Sequence, residues 1–198
     1  MGSNRSERME NRQGIAGLVN RLRYHEASRQ GFGLLLVLVC TLFAVPGESR
    51  IVAGLALGVI GQGWRIYAAG VIYKNKQLAT TGAYSLVRHP LYLGNFLILA
   101  GFTLASGNGV VALVVLFFFL FYYPAAIRYE DTKLEGIFGD GWRTWSGKIP
   151  AMFPTSVRWQ ANTEAQWNTR QSLIRNGELI YSIYMAGCGV WLGYRALA

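Results

Sequence analysis

The chain has 198 residues, enough for one domain with a short appendage, and its formal net charge is +9. Half of the residues are apolar (52%) and only 15% are charged. The basic residues alternate with long apolar runs instead of lining amphipathic elements, a pattern that excludes a nucleic-acid partner and points to a polytopic membrane protein.

Met1 to Asn11 is polar and lacks the apolar core of a signal peptide. Residues 11–30 carry Ile15, Leu18, Val19 and Leu22 at helical spacing beside Arg12, Arg21, Arg23 and Arg29. This is either a basic amphipathic helix on an anionic membrane surface or a helix packed on the protein, with His25 on its polar side. Five apolar segments follow, roughly Gly31 to Val45, Ile51 to Tyr73, Leu91 to Ala105, Val110 to Ile127 and Leu179 to Tyr194. Each is too continuous to be a soluble amphipathic helix. Several fall short of the ~20 residues of a straight span, so flanking residues contribute or the bilayer thins. Pro46 to Arg50 and Ser106 to Gly109 suit tight helical hairpins. Cys40 and Cys188 lie inside apolar runs without metal-ligand spacing and read as small buried side chains.

The expected fold is therefore all-α, a polytopic membrane protein of about five transmembrane helices. With a cytoplasmic N-terminus, sixteen of the nineteen basic residues fall on the cytoplasmic side and only Arg50 and Arg195 outside. The expected organisation is a basic amphipathic segment over 1–30, transmembrane helices 1 and 2 over 31–73, a catalytic core with helices 3 and 4 over 74–154, and an interfacial segment with helix 5 over 155–198. Arg65 lies within the second span, where an arginine is costly. It either snorkels or reaches a site near Arg88, and we assign it to substrate binding.

The chain is organised around Gly82 to Gly94, a cationic knot set against an apolar run. Pro90 suits the first position of a helix and holds His89 extended. The N–H groups of Leu91, Tyr92 and Leu93 would then be free, and the stretch reads either as a site where they and Arg88 hold an anion or as a surface turn with a solvated Arg-His pair. A second polar centre follows the fourth span. Continued as a helix, Ile127, Glu130, Leu134 and Ile137 share one face, so Glu130 is a carboxylate within an apolar stripe. It is read as a site residue or as half of a salt bridge to Arg65 or Arg88. Asp131 and Glu135 fall on another face beside Arg128, as in a surface charge network. Gly139 ends the helix. Asp140 to Pro154, with Trp142, Trp145 and Phe153, reads as an interfacial lid or belt, an anchor more than a substrate contact, and Trp159 and Trp167 read as anchors too.

Gly107 to Ala112 matches a loose dinucleotide pattern, but it sits in a hairpin between spans and the match is chance. No P-loop, nucleophile elbow or Cys/His metal cluster occurs, and two histidines are too few for a histidine-rich iron site.

Leu78 to Tyr84 followed by Arg88-His89-Pro90-Leu91-Tyr92-Leu93-Gly94 resembles the first signature of integral-membrane methyltransferases, the isoprenylcysteine carboxyl methyltransferase and phospholipid N-methyltransferase families. Glu130 to Leu134, then Phe138-Gly139, Trp142 and Trp145, resembles their second signature, and Arg65 to Gly70 the approach to the first. One departure is Asp131, where the families carry a second Glu. The resemblance covers roughly Gly61 to Pro154. It implies S-adenosylmethionine as methyl donor without a Rossmann domain, a lipid or lipidated acceptor (prenylcysteine carboxylate or phospholipid amine), and no metal. It implies catalytic roles for Arg88, His89 and Glu130, and cofactor contacts from Tyr84, Arg88, His89, Tyr92, Leu93, Gly94, Glu130, Asp131 and Leu134. The active site would face the cytoplasm, in a bacterial inner membrane or the endoplasmic reticulum. The competing readings are an NADPH-dependent membrane reductase of the sterol reductase type and an inactive lipid-binding membrane protein.

Overall fold

In the computed structural model the described residues are 26–45, 47–73, 76–156, 159–160 and 167–197. The amphipathic pattern of residues 11–25, His25 included, and the polar start of the chain lie outside them. The described residues form six α-helices: α1 (Glu26–Leu42), α2 (Glu48–Val71), α3 (Pro90–Ser106), α4 (Gly109–Phe138), α5 (Asp140–Ser146) and α6 (Glu178–Leu197), with a 3₁₀ turn at Gly82–Ser85 and a π turn at Gln171–Arg175. No strand occurs among them. The all-α expectation holds, and each apolar run forms a helix.

Two of these helices, α2 and α4, are long and apolar enough to cross a membrane, and α3 and the Gln30–Leu42 part of α1 are shorter apolar helices. Large apolar side chains face outward along α2 (Val52, Val59), α4 (Leu113, Phe117, Leu120) and α6 (Ile180, Val190). The inner faces of α1, α2, α3, α4 and α6 bury Leu36, Cys40, Ile51, Phe102, Val115 and Leu192. Both cysteines are buried and free, and Cys40 packs on Thr103.

The closest packing is between α2 and α3, where backbone meets backbone. A Cβ built at Gly54 would lie 2.3 Å from the Gly101 carbonyl, and one at Gly101 would lie 2.5 Å from the Gly54 carbonyl. Two helices without side chains at these positions approach until their main chains touch, as small-residue faces allow.

Both hairpins close at one end of the bundle. Gly107 takes a left-handed conformation (φ 58°) that ends α3, and the Asn108 side chain caps α4 by accepting from the Val110 and Val111 N–H groups. Val45 N–H donates to the Ser106 carbonyl (2.8 Å) and the Asn108 amide to the Phe43 carbonyl (3.1 Å), which ties the two turns together. At the other end, α2 leaves carbonyls without helical partners. The segment before α6 satisfies them: Asn176 donates to Ala69, Gln171 to Ile72 and the Asn168 N–H to Gly70.

α4 continues unbroken through Pro124 for 30 residues. That is about 45 Å at 1.5 Å per residue, longer than a hydrocarbon core of about 30 Å. Its polar last turns, which carry Glu130, Asp131 and Leu134, therefore project beyond the apolar stretch that ends near Ile127. Gly139 (φ 55°) closes the helix, as its sequence position predicts.

Candidate active site

Pro90 begins α3, and His89 before it is not helical, but at φ −122° and ψ 65° it falls short of the extended conformation expected ahead of a proline. The expected trio of free amides is not there. The N–H groups of Tyr92 and Leu93 both return to the His89 carbonyl, at 3.0 and 3.2 Å, so the helix start is no open anion cradle. The loop is fixed from the other side by the strap that follows α5. Arg88 N–H donates to the Pro150 carbonyl (2.8 Å) and His89 N–H to the Ala151 carbonyl (2.9 Å).

The Arg88 guanidinium is a clasp. Its Nη1 donates to the carbonyls of Ser146 and Ile149, and its Nη2 donates to Asp131 Oδ2 at 2.8 Å. Asp131 Oδ1 lies 2.7 Å from His89 Nε2. One carboxylate thus joins both residues of the Arg-His pair. This corrects the surface-network reading of Asp131. Glu135 pairs instead with Arg143 (2.7 Å), and Asp131 turns to partners 42 and 43 residues upstream. A helical wheel of α4 alone carries no information about them. Burial pushes the Asp131 carboxyl toward its neutral form, but the hydrogen bonds and positive charge of His89 and Arg88 outweigh it and hold its pKa below the ordinary value.

Glu130 faces the opposite flank. Its Oε2 accepts from the Tyr92 hydroxyl (2.7 Å) and lies 3.9 Å from His89 Nδ1. It pairs with neither Arg65 nor Arg88. The Tyr92 ring packs on His89 (centroids 5.5 Å apart) and edge-on against Tyr123 (5.6 Å).

Tyr84, Arg88, His89, Tyr92, Glu130, Leu134 and Arg65 all line one cavity of about 280 Å³ between α2, α3, α4 and α5. Phe118, Tyr122, Tyr123, Tyr129, Phe138, Trp142 and Trp145 add aromatic rings to its walls. Leu93 and Gly94 do not reach it. Leu93 packs on the core, and Gly94 lies under Arg65, where a Cβ would sit 2.4 Å from Arg65 Cγ. Asp131 also lies off the wall and acts through Arg88 and His89. The belt reading of Trp142 and Trp145 is corrected as well: Trp142 is buried, and both indoles line the cavity. Trp159 stacks on Tyr67 (5.8 Å), and Trp167 packs against Gly70.

Arg65 is held from behind by a residue that sequence reasoning missed. Glu178, 1% exposed at the start of α6, accepts from Arg65 Nε (3.1 Å) and Nη2 (2.6 Å), while Asn95 accepts from Nη1. Gln62 donates to the same Glu178 carboxylate, and the Tyr181 ring lies 4.9 Å from the guanidinium carbon. A signal was available, since a lone intramembrane arginine asks for a carboxylate and Glu178 stands just before the last apolar run. Arg65 does not snorkel. It reaches the cavity wall with its charge already met.

Four buried side-chain atoms have no hydrogen-bond partner among the described residues: Tyr84 Oη, Arg88 Nε, Trp145 Nε1 and Gln62 Oε1. Three of them belong to cavity-lining residues. Among the described residues no group of three or more His, Cys, Asp or Glu side chains is placed to hold a metal.

The profile of the phospholipid methyltransferase family matches residues 32–141, more than half of the chain. The chain belongs to that family. The match runs from within α1 to the start of α5 and takes in Arg88, His89, Glu130 and Asp131. Among curated relatives, a cobalt-zinc-cadmium resistance protein of Cupriavidus metallidurans is 32% identical over 138 residues, 69% of this chain and 61% of the relative. A nickel-cobalt-cadmium resistance protein of Alcaligenes xylosoxydans xylosoxydans is 34% identical over 102 residues, 51% of this chain and 46% of the relative. The protein-S-isoprenylcysteine O-methyltransferase of Schizosaccharomyces pombe is 31% identical over 94 residues, 48% of this chain and 40% of that enzyme. The chain thus spans about half to three fifths of the length of the first two. No solved structure gives a significant match.

Proposed function

We propose that the protein transfers a methyl group from S-adenosylmethionine to a lipid or lipid-like acceptor, at the cavity formed by Arg88, His89, Glu130 and the aromatic walls. The observation that carries this reading is the convergence, in a phospholipid methyltransferase family chain, of the two separated signatures on one cavity. Family kinship favours it over the NADPH-dependent reductase.

The cavity's residues fit the donor. Bound S-adenosylmethionine would supply an electrophilic methyl group on a sulfonium. The faces of Tyr92, Tyr122 and Tyr123 attract such a cation. Glu130 Oε1, which has no protein partner among the described residues, is an acceptor for an ammonium or a ribose hydroxyl. Tyr84 and Leu134 enclose the adenosyl part. Arg88 and His89, fixed by Asp131, set the shape of the polar wall, and the aromatic walls exclude water, so rate comes mainly from alignment. Arg65 and Asn95 offer polar contact to the acceptor. A carboxylate acceptor needs no base, whereas an amine must lose its proton to a group such as Glu130.

In the bilayer we place five spans, a cytoplasmic N-terminus and the cavity on the cytoplasmic side. The positive-inside count supports this, as does the clustering of both polar centres at the bundle end opposite the hairpins. The test is to incubate purified protein in detergent or vesicles with methyl-labelled S-adenosylmethionine and total membrane lipid. A labelled lipid product is expected. Binding of NADPH, with no response to S-adenosylmethionine or its demethylated product, would overturn the reading in favour of the reductase.

A further inference from the structure

A second cavity runs toward the other end of the bundle, away from Arg88, His89 and Glu130. It is a groove of about 600 Å³ between α3 and α4. Phe96, Ala100 and Thr103 line it from α3, and Ala112, Leu116 and Phe119 from α4. Spacings of three and four residues put each set on one face of its helix. Toward the active-site cavity the groove is closed by rings. Phe96 and Phe119 meet with centroids 5.0 Å apart, and Phe119 packs on Tyr123, a wall residue of that cavity, at 4.6 Å.

The opposite end is polar and lies at the hairpins, where Arg50, Gly107 and Asn108 line the groove. The Arg50 guanidinium rests against both turns. A Cβ built at Gly47 would fall 2.3 Å from its Nη2, and one at Gly107 would fall 1.3 Å from its Nη1. A side chain at either turn would displace the cation from the mouth of the groove. Arg50 has contacts of its own within the protein, and five N–H donors can serve those and a ligand together. A cation in the first turn of α2 opposes the helix dipole, and an anion beside it offsets that conflict. Between the two ends the walls carry one hydroxyl, Thr103, and no charge. From Phe96 to Gly107 the groove follows α3 for about 16 Å, at 1.5 Å per residue. One leaflet of a hydrocarbon core is about 15 Å deep.

We propose that this groove holds one acyl chain of a phospholipid from the leaflet at the hairpin end, with the lipid's phosphate at Arg50. Charge, polarity and length agree on that occupant. A chain without a headgroup leaves the guanidinium unmatched, and a free phosphate leaves the apolar walls unfilled. In the proposed orientation the lipid belongs to the non-cytoplasmic leaflet. The site does not use the methyl-transfer reading, so its failure leaves that reading standing.

The test is native mass spectrometry of the full-length protein, stripped of lipid in detergent and titrated with dioleoyl phosphatidylglycerol or with dioleoylglycerol. The two probes share their chains and differ in the phosphate headgroup. The unsubstituted protein is expected to bind one phosphatidylglycerol at least roughly tenfold more tightly, the scale of one hydrogen bond to a charged group. Arg50→Gln should weaken phosphatidylglycerol roughly tenfold and leave the diacylglycerol within about twofold. Ala100→Phe, which fills the groove, should weaken phosphatidylglycerol at least roughly tenfold as well. A lipid bound in the active-site cavity would respond to neither change, because neither residue lines it. Thermal unfolding without lipid checks the fold of each variant, and the probe pair gives its answer on unsubstituted protein alone. Equal affinity for the two probes, or phosphatidylglycerol binding that either substitution leaves unchanged, would overturn the site. A lower melting temperature of Arg50→Gln with intact lipid binding would make Arg50 a clamp of the hairpins only. A dimer in place of the lipid-bound monomer would assign the groove to a second copy of the chain.

Discussion

Two adjacent acids, Glu130 and Asp131, do different work. Asp131 fastens Arg88 and His89 to α4, and Glu130 faces the cavity with Tyr92. Asp131→Asn is expected to lower stability by ~1–3 kcal/mol, since it leaves two partners with a weaker acceptor. Glu130→Gln should barely shift the melting temperature but weaken S-adenosylhomocysteine binding by ~1.5–3 kcal/mol. Melting curves and titrations of both variants decide this, and equal melting shifts would contradict the division of labour. The pH dependence follows from the depressed Asp131 pKa. A carboxyl more acidic in the folded state stabilises above its unfolded pKa, near 3.8, and loses that contribution as pH falls through the lower folded value. The deficit of Asp131→Asn against the parent should persist from neutral pH down to about 4 and shrink only below it. A deficit that vanishes by pH 6 would place the effect elsewhere.

At the scale of elements, the sequence carried the boundaries well. Pro90 and Gly139 each acted where their backbone preferences dictate, because capping is local. Contacts between elements were not legible in the same way. The Asp131 clasp, the turning of Trp142 and Trp145 into the cavity and the Arg65–Glu178 pair all join residues distant in the chain. So does the α2–α3 contact, whose glycines look like any others in an apolar run until the two helices are laid together. Gly101→Leu should push α2 and α3 apart and cost ~1–3 kcal/mol or more, as overpacking does. Gly63→Ala, on the same α2 but with nothing within 4 Å, should be neutral or mildly stabilising. Melting temperatures of the two variants compare them directly, and a neutral Gly101→Leu would mean that the helices are not in backbone contact.

For the whole molecule, α6 lies outside the residues matched to the family yet supplies the carboxylate behind the cavity wall. Glu178→Ala leaves Arg65 as a buried unpaired charge and should cost ~3–5 kcal/mol, enough to abolish recovery of folded protein. Replacing both, Arg65→Met with Glu178→Leu, should restore folding, because a buried pair exchanged for apolar groups is often neutral. Failure of the double variant to fold where the single one fails would assign the loss to packing, not charge. The proposed membrane orientation has its own check. A cysteine placed at position 48, beside the hairpin end, should react with an impermeant thiol reagent only from the non-cytoplasmic side.

The Arg65–Glu178 pair also sets an order of events during synthesis. The two residues are 113 positions apart. At roughly 5–20 residues per second, the arginine leaves the ribosome on the order of ten seconds before its partner exists. In the proposed five-span arrangement α2 carries an uncompensated cation at membrane depth throughout that interval, worth several kcal/mol against its insertion. The helix made last therefore settles a helix made early, and a nascent chain released before residue 178 leaves a guanidinium in the lipid with nothing to neutralise it.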